Sequence, residues 1–217
     1  MIKFEDIAQT VFKGNIKKIA EQVNEMVKEG ADPVQIINEG LIEGMNLVTP
    51  LFKSGEMFVP EVMRSAKAMN VGMDIVKKLI SADDIPTKGK MIMGTVKGDL
   101  HDIGKNLVSM MLETTGYTVI DLGADVDEEA FLSAIKEHNP DIVGMSSLLT
   151  TTMIKIKDTI DYLVEKGVRD QVKIIIGGAP ISEDFAKEVG ADGYSEDAST
   201  AVDLCDRLMG SSSTVLG

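Results

Sequence analysis

Tryptophan is absent from the 217 residues, cysteine occurs once and histidine twice. Each scarcity excludes a class of protein. The single Cys205 leaves no internal disulfide and no thiolate cluster, so a reducing, cytoplasmic setting is expected. His101 and His138 are the two histidines, and one histidine does not make a zinc site, which takes three or four protein ligands. Basic residues are outnumbered, 22 against 35 acidic ones, for a net charge of −13. Nucleic acid or an anionic membrane surface calls for a basic face, so neither is expected as a partner. No apolar run approaches the roughly 18 residues of a membrane span. The N-terminal stretch MIKFEDIAQT also lacks the basic-then-apolar layout of a signal peptide. What is abundant instead is methionine, with 14 residues. It is a flexible, polarizable filler suited to adaptable cores and to surfaces that accept more than one partner.

The chain reads as two halves with different periodicity. In NIKKIAEQVNEMVKEG the apolar residues Ile16, Ile19, Ala20, Val23, Met26 and Val27 fall three and four apart, which is one face of a helix stopped by Gly30. Asp32 and Pro33 are the N-cap and first-turn signals of another helix. Pro50 is expected to kink or end it, and a further helix starts near Pro60. Residues 1–88 are therefore expected to form a four-helix bundle. A linker is expected within SADDIPTKGK, at Ala82–Lys88, where proline, glycine and mixed charge break the pattern.

Residues 89–217 follow another rule. KMIMGTV, YTVIDLG, DIVGMSS and VKIIIGG are short apolar runs separated by the helix-length segments Ile103–Thr115, Glu128–His138 and Thr151–Lys166. Such alternation predicts parallel strands buried on both faces. With a weaker fifth strand around DGYSE and a closing helix Ala198–Met209, the expected architecture is an α/β, five-stranded, doubly wound, Rossmann-like sheet of flavodoxin-type order. Ligands of such sheets bind beyond the carboxyl ends of strands one and three. There the sequence places the turn GDLHDIG and the hydroxyl-rich SSLLTT, which includes Thr150. The dinucleotide fingerprint, the P-loop and the G-x-S-x-G elbow are all absent. A receiver domain would carry an acid at the end of strand three, where Ser146 stands. His138, at a helix C-terminus, is read as a solvated residue that suits the helix dipole.

One histidine can still be the sole protein ligand of a metal whose other positions a macrocycle fills. A carboxylate two residues earlier then orients the ring and raises its basicity. Asp99, His101 and Gly104 form D-x-H-x-x-G; residues 105–145 (41 in all) separate it from Ser146-Ser147-Leu148, and 28 more precede Gly177–Gly178. Three motifs at these intervals resemble the signature of cobalamin-binding domains, the family shared by methionine synthase, carbon-skeleton mutases and small corrinoid proteins. The resemblance implies cobalamin as cofactor, with His101 as axial cobalt ligand and Asp99 as its hydrogen-bonding partner. Thr152 stands where methionine synthase completes that relay with a serine. Asp102, Gly104, Ser146, Leu148, Thr150, Thr152, Gly177 and Gly178 are expected at the cofactor, the last two with the S-x-L stretch lining a slot for its displaced nucleotide tail.

LFKSGEMFVPEVMRSAKAMN is similar to the helical cap of the same family, which implies that Met57, Phe58, Val62 and Met63 face the corrin. Read this way, the chain resembles a stand-alone methyl carrier of the anaerobic methylamine, methanol or quaternary-amine systems. Its cobalt would cycle between Co(I) and methyl-Co(III), and the carrier would not be a complete enzyme alone. The implied partners are a substrate-specific methyltransferase, a second methyltransferase serving a thiol or folate acceptor, and a reductive activation protein. The alternatives are a cobalamin-binding sensor or storage protein, or a mutase subunit.

Overall fold

The computed structural model describes residues 2–80 and 86–210. The chain divides into two compact units, one running to Thr87 with Thr114–Gly116 grouped to it, the other starting at Lys88. Of the linker expected at Ala82–Lys88, residues 82–85 lie outside the described residues.

The first unit contains α1 (Phe4–Phe12), α2 (Ile16–Lys28), α3 (Pro33–Gln35), α4 (Glu43–Lys53) and α5 (Val59–Val76). A π-helical segment, Ile36–Ile42, joins α3 to α4, so four helical rods result. Local chemistry sets their ends. Asn15 accepts the Lys18 N–H at the start of α2, and Asp32 accepts the Val34 N–H at the start of α3. The Glu61 carboxylate reaches back to the Phe58 N–H, 3.0 Å away, at the start of α5. Ile19, Val23 and Met26 bury one face of α2 as the spacing requires. Pro50 does not end its helix: α4 continues to Lys53. A proline in the last turn removes a single backbone bond, which the remaining turn tolerates.

The second unit is a five-stranded parallel sheet in the order β2-β1-β3-β4-β5. Its strands are β1 (Lys90–Thr95), β2 (Thr118–Asp121), β3 (Ile142–Ser146), β4 (Lys173–Gly177) and β5 (Gly193–Ser195). Between and after them run α6 (Ile103–Thr114), α7 (Glu128–His138), α8 (Ile154–Glu165), α9 (Glu183–Val189) and α10 (Ala198–Leu208). The core forms where Ile92, Val143 and Ile174 of the central strands meet Phe131, Ile160 and Leu163 of the helices. Strand β2, at the sheet edge, leaves Thr118 and Asp121 exposed rather than buried on both faces. The register aligns Thr95 with Ser146, Ser146 with Gly177, and Gly177 with Ser195. One row of small residues thus crosses the carboxyl edge of four strands. Among the described residues no helix is long and apolar enough to cross a membrane.

Candidate cofactor site

Beyond β1 the chain turns sharply, with the Asp99 N–H bonded to the Val96 carbonyl at 3.1 Å and Gly98 at φ +83°. The turn drives the Asp99 side chain wholly out of solvent. Its Oδ1 accepts the His101 N–H at 3.0 Å and lies 2.7 Å from His101 Nδ1. Its Oδ2 is met by the Leu148 N–H at 2.7 Å, the Thr152 hydroxyl at 2.9 Å, the Leu149 N–H at 3.3 Å and the Ser147 hydroxyl at 3.4 Å. Burial pushes this carboxyl upward, but the N–H groups of His101 and Leu148, the imidazole and the Thr152 hydroxyl outweigh it and hold Asp99 well below the usual carboxylate range. An ionised carboxylate only accepts, so the contact puts a proton on Nδ1, and in the neutral ring the lone pair is then on Nε2. No hydrogen bond among the described residues engages Nε2, and the imidazole is 53% exposed.

Beside the histidine a cavity of 460 Å³ opens along the carboxyl edge of β1, β3 and β4. That is within the size range of small-molecule sites. Its walls are mainly apolar, from Met93, Val108, Met145, Ile175 and Ile176, with Ser146, Ser147 and Ser195 as polar points. Glycine shapes it at two places. A Cβ on Gly104 would meet nothing within 4 Å, so α6 presents bare backbone to open space. Gly178, at φ +125°, has the Ser147 carbonyl oxygen where a Cβ would stand, so no side chain fits there. A flat, largely apolar group lying against backbone suits this slot. Among the described residues no three His, Cys, Asp or Glu side chains gather to hold a bare ion. The donor set therefore fits a metal that brings most of its own ligands.

The structure gathers most of the residues singled out from the sequence. His101, Asp102, Gly104, Ser146, Leu148, Gly177 and Gly178 all line the cavity, and Asp102 also accepts the Asn106 amide at 3.0 Å. Thr152 stands in the carboxylate network and not in the cavity wall. Thr150 is exposed and does not line the cavity, because the turn after β3 directs that position outward. Of the four cap positions, Phe58 is 67% and Met63 53% exposed, and Met57 is half-buried. Val62 is completely buried, which corrects its expected place facing a ligand: it lies on the inward side of α5 with Ser65, Ala66 and Met69. Three further residues contribute, of which the sequence points only to Ser147, as a hydroxyl within the S-x-L motif, with no role of its own. Ser147 bonds the Thr152 hydroxyl at 2.8 Å, and Thr95 donates to the His101 carbonyl at 3.0 Å while pairing with Ser146 at 2.8 Å. Lys105 lines the cavity, yet its ammonium is buried against both Asp121 oxygens, at 2.5 and 2.6 Å. Only Ser147 had a signal, its place inside a hydroxyl cluster.

Comparison with known proteins agrees with this geometry. Residues 89–203 match the B12 binding domain family, and residues 3–77 match a second family also described as a B12 binding domain. The chain is 44% identical to a corrinoid protein of Desulfitobacterium hafniense over 215 residues, 97% of this chain and 99% of that one. It is 44% identical over 186 residues to dimethylamine corrinoid protein 1 of Methanosarcina acetivorans, covering 85% and 87% of the two. The crystal structure of the methanol:cobalamin methyltransferase complex from Methanosarcina barkeri superposes with a TM-score of 0.87 at 35% identity, over 94% of this chain and 78% of that one. With both of its units matched, the chain belongs to the B12-binding family of corrinoid proteins.

Proposed function

We infer that the chain is a corrinoid methyl carrier, loaded by one methyltransferase and unloaded by another. The observation that carries this reading is the Asp99–His101 pair: a buried carboxylate 2.7 Å from Nδ1, with an exposed ring whose Nε2 has no partner among the described residues. Cobalamin, when bound, supplies a cobalt that takes up and releases a methyl group. The protein supplies the setting for that chemistry. His101 Nε2 would hold the cobalt. Asp99 keeps the Nδ1 proton in place, which fixes the tautomer and makes Nε2 the better donor. Leu148, Leu149, Thr152 and Ser147 hold Asp99 so that it cannot rotate away. Gly104, Gly177 and Gly178, with the Ser146–Leu148 stretch, leave room for the nucleotide tail. Phe58 and Met63 are among the exposed large apolar side chains of the helical unit.

The methyltransferase partner is supported by the relative solved as a methyltransferase complex and by relatives named for dimethylamine and trimethylamine. A second methyltransferase with a thiol or folate acceptor, and a protein that restores the reduced metal, complete the cycle we propose. Those relatives favour a carrier over a sensor, storage protein or mutase subunit. The test is electron paramagnetic resonance of the Co(II) protein prepared with nitrogen-15-labelled chain and unlabelled cobalamin. A doublet from one axial nitrogen-15, unchanged in His138→Ala and lost in His101→Ala, is expected. A triplet in the wild type means that the cofactor keeps its own base, and the reading fails.

A further inference from the structure

The β2–α7 loop, residues 122–127, borders the Asp99–His101 turn, and the cofactor reading gives it no task. Within it Asp125 adopts φ +57°. Side chains other than Asn and Asp seldom accept that left-handed region, and its appearance beside a functional turn is a reason to ask what holds it. The other non-glycine case among the described residues, Asn139 at φ +47°, is explained by closing α7 as its C-cap. Asp125 caps no helix.

Its bonds go to the histidine turn instead. The Asp125 N–H donates to the Asp99 carbonyl at 3.0 Å, and Asp125 Oδ1 accepts the Gly98 N–H at 2.7 Å. One residue therefore grips the backbone on both sides of the Gly98–Asp99 α-carbons, where Gly98 is itself left-handed at φ +83°. The grip is anchored independently of the turn. Leu122 N–H donates to the Met93 carbonyl at 2.8 Å, Thr95 N–H to the Gly123 carbonyl at 3.0 Å, and Val126 N–H to the Thr95 carbonyl at 2.9 Å. Lys97, within the turn itself, also pairs with Asp127 at 3.3 Å. The loop is thus laced to β1, while the carboxylate of Asp99 is held from the opposite side by the loop after β3. Main chain and side chain of the same residue are fixed by two different loops.

We propose that Asp125 is a positioning residue for His101, setting the backbone from which the Asp99 carboxylate reaches the imidazole. Its consequence for cobalt ligation rests on the carrier reading; its consequence for the imidazole does not. The experiment uses the whole chain. Asp125→Asn keeps an acceptor and tolerates the left-handed region, whereas Asp125→Gly keeps the backbone freedom and deletes the acceptor. In the cofactor-free protein, long-range proton–nitrogen-15 correlation reads which His101 nitrogen carries the proton. In the loaded protein, the Co(II) resonance reads the fraction with an axial protein nitrogen.

Asp125→Asn should match the wild type in both. Asp125→Gly should shift the tautomer ratio toward Nε2–H about tenfold, the effect of losing one such hydrogen bond, and lower the His-ligated fraction. A general loss of stability would not separate the two variants in this way. Asp125→Gly with the wild-type tautomer ratio and ligated fraction overturns the proposal. Should that variant not fold, Asp125→Ser, one atom too short to reach Gly98 as the carboxylate does, takes its place with the same two outcomes. If wild-type protein shows the cofactor's own base on cobalt, the carrier reading falls, and the cofactor-free tautomer ratio still decides the role of Asp125.

Discussion

Replacing Gly104 separates what the helix favours at that position from what the cavity requires. Gly104 is the second residue of α6, its φ is not among the positive values, and a Cβ there meets no heavy atom within 4 Å. Alanine therefore brings neither clash nor backbone strain. Within a helix, alanine is worth up to about 1 kcal/mol over glycine through the unfolded chain's lost freedom. In the first turn we expect about 0.5 kcal/mol. For a chain of this size that raises Tm of the cofactor-free protein by about 1–2 °C. Leucine is equally unstrained in the free protein but sends three more carbons into the 460 Å³ cavity next to His101. If the slot receives the nucleotide tail, that overlap should cost about 1–3 kcal/mol of affinity, or about five- to more than a hundredfold. Calorimetry of the free protein and absorbance-monitored cobalamin titration read the two effects. Gly104→Leu that binds cobalamin like the wild type would refute the slot assignment. Gly104→Ala that melts lower would refute the account of the helix.

Asp99→Asn must turn its amide oxygen toward the four donors at the former Oδ2, which sets its NH₂ against the His101 N–H and Nδ1. It should lose about 2–4 kcal/mol in urea unfolding and move the imidazole proton to Nε2. The depressed Asp99 carboxyl also has a pH signature. The unfolded chain binds the extra proton, so the stability it lends is complete above about pH 4 and is lost as pH falls from there toward the folded-state value. Wild-type unfolding midpoints should therefore drop more steeply than those of Asp99→Asn between about pH 4 and pH 2; parallel slopes would count against the linkage. Gly178→Ala combines a φ of +125° with overlap on the Ser147 carbonyl and should destabilise by about 3 kcal/mol or more, read by thermal melting. Val62→Ala, in a fully buried site, should cost about 1–3 kcal/mol, whereas Phe58→Ala, 67% exposed, should stay within about 0.5 kcal/mol. Cys205 is buried, and burial with the adjacent Asp206 charge pushes its thiol up to about 12, so it should resist disulfide reagents until the chain unfolds.

Periodicity disclosed most of the architecture because long amphipathic helices and buried strands write their burial into the sequence. Residues Glu128–His138 matched as a helix end to end, between a capping Asp127 and a left-handed Asn139. Helix α9 escaped because seven residues make barely two turns, and the π-helical Ile36–Ile42 escaped because its period is invisible in a 3.6-residue pattern. At the site, the residues that chemistry needs at fixed spacing along one segment were legible: Asp99, His101 and Gly104. The individual pairings that sheet register makes were not. Thr95 meets Ser146 only because β1 and β3 pair in that register, and Asp125 reaches Gly98 across 27 residues of chain. Val62 was misplaced because helical spacing marks an apolar face without saying what that face packs against.

The pairing of Met93 with Gly144 across β1 and β3 has a consequence for how such a slot changes over generations. A Cβ on Gly144 would overlap the Met93 sulfur, so two positions on neighbouring strands share the volume of one side chain. The two are coupled: enlargement at 144 must turn the Met93 thioether aside or be matched by a shorter residue there, and loss of the methionine leaves a void beside residue 144. In related chains the two should vary as an inverse couple of sizes. An exchange of bulk between them, Met93→Ala with Gly144→Ala, would reshape the wall of the slot while leaving the strands that carry it in register.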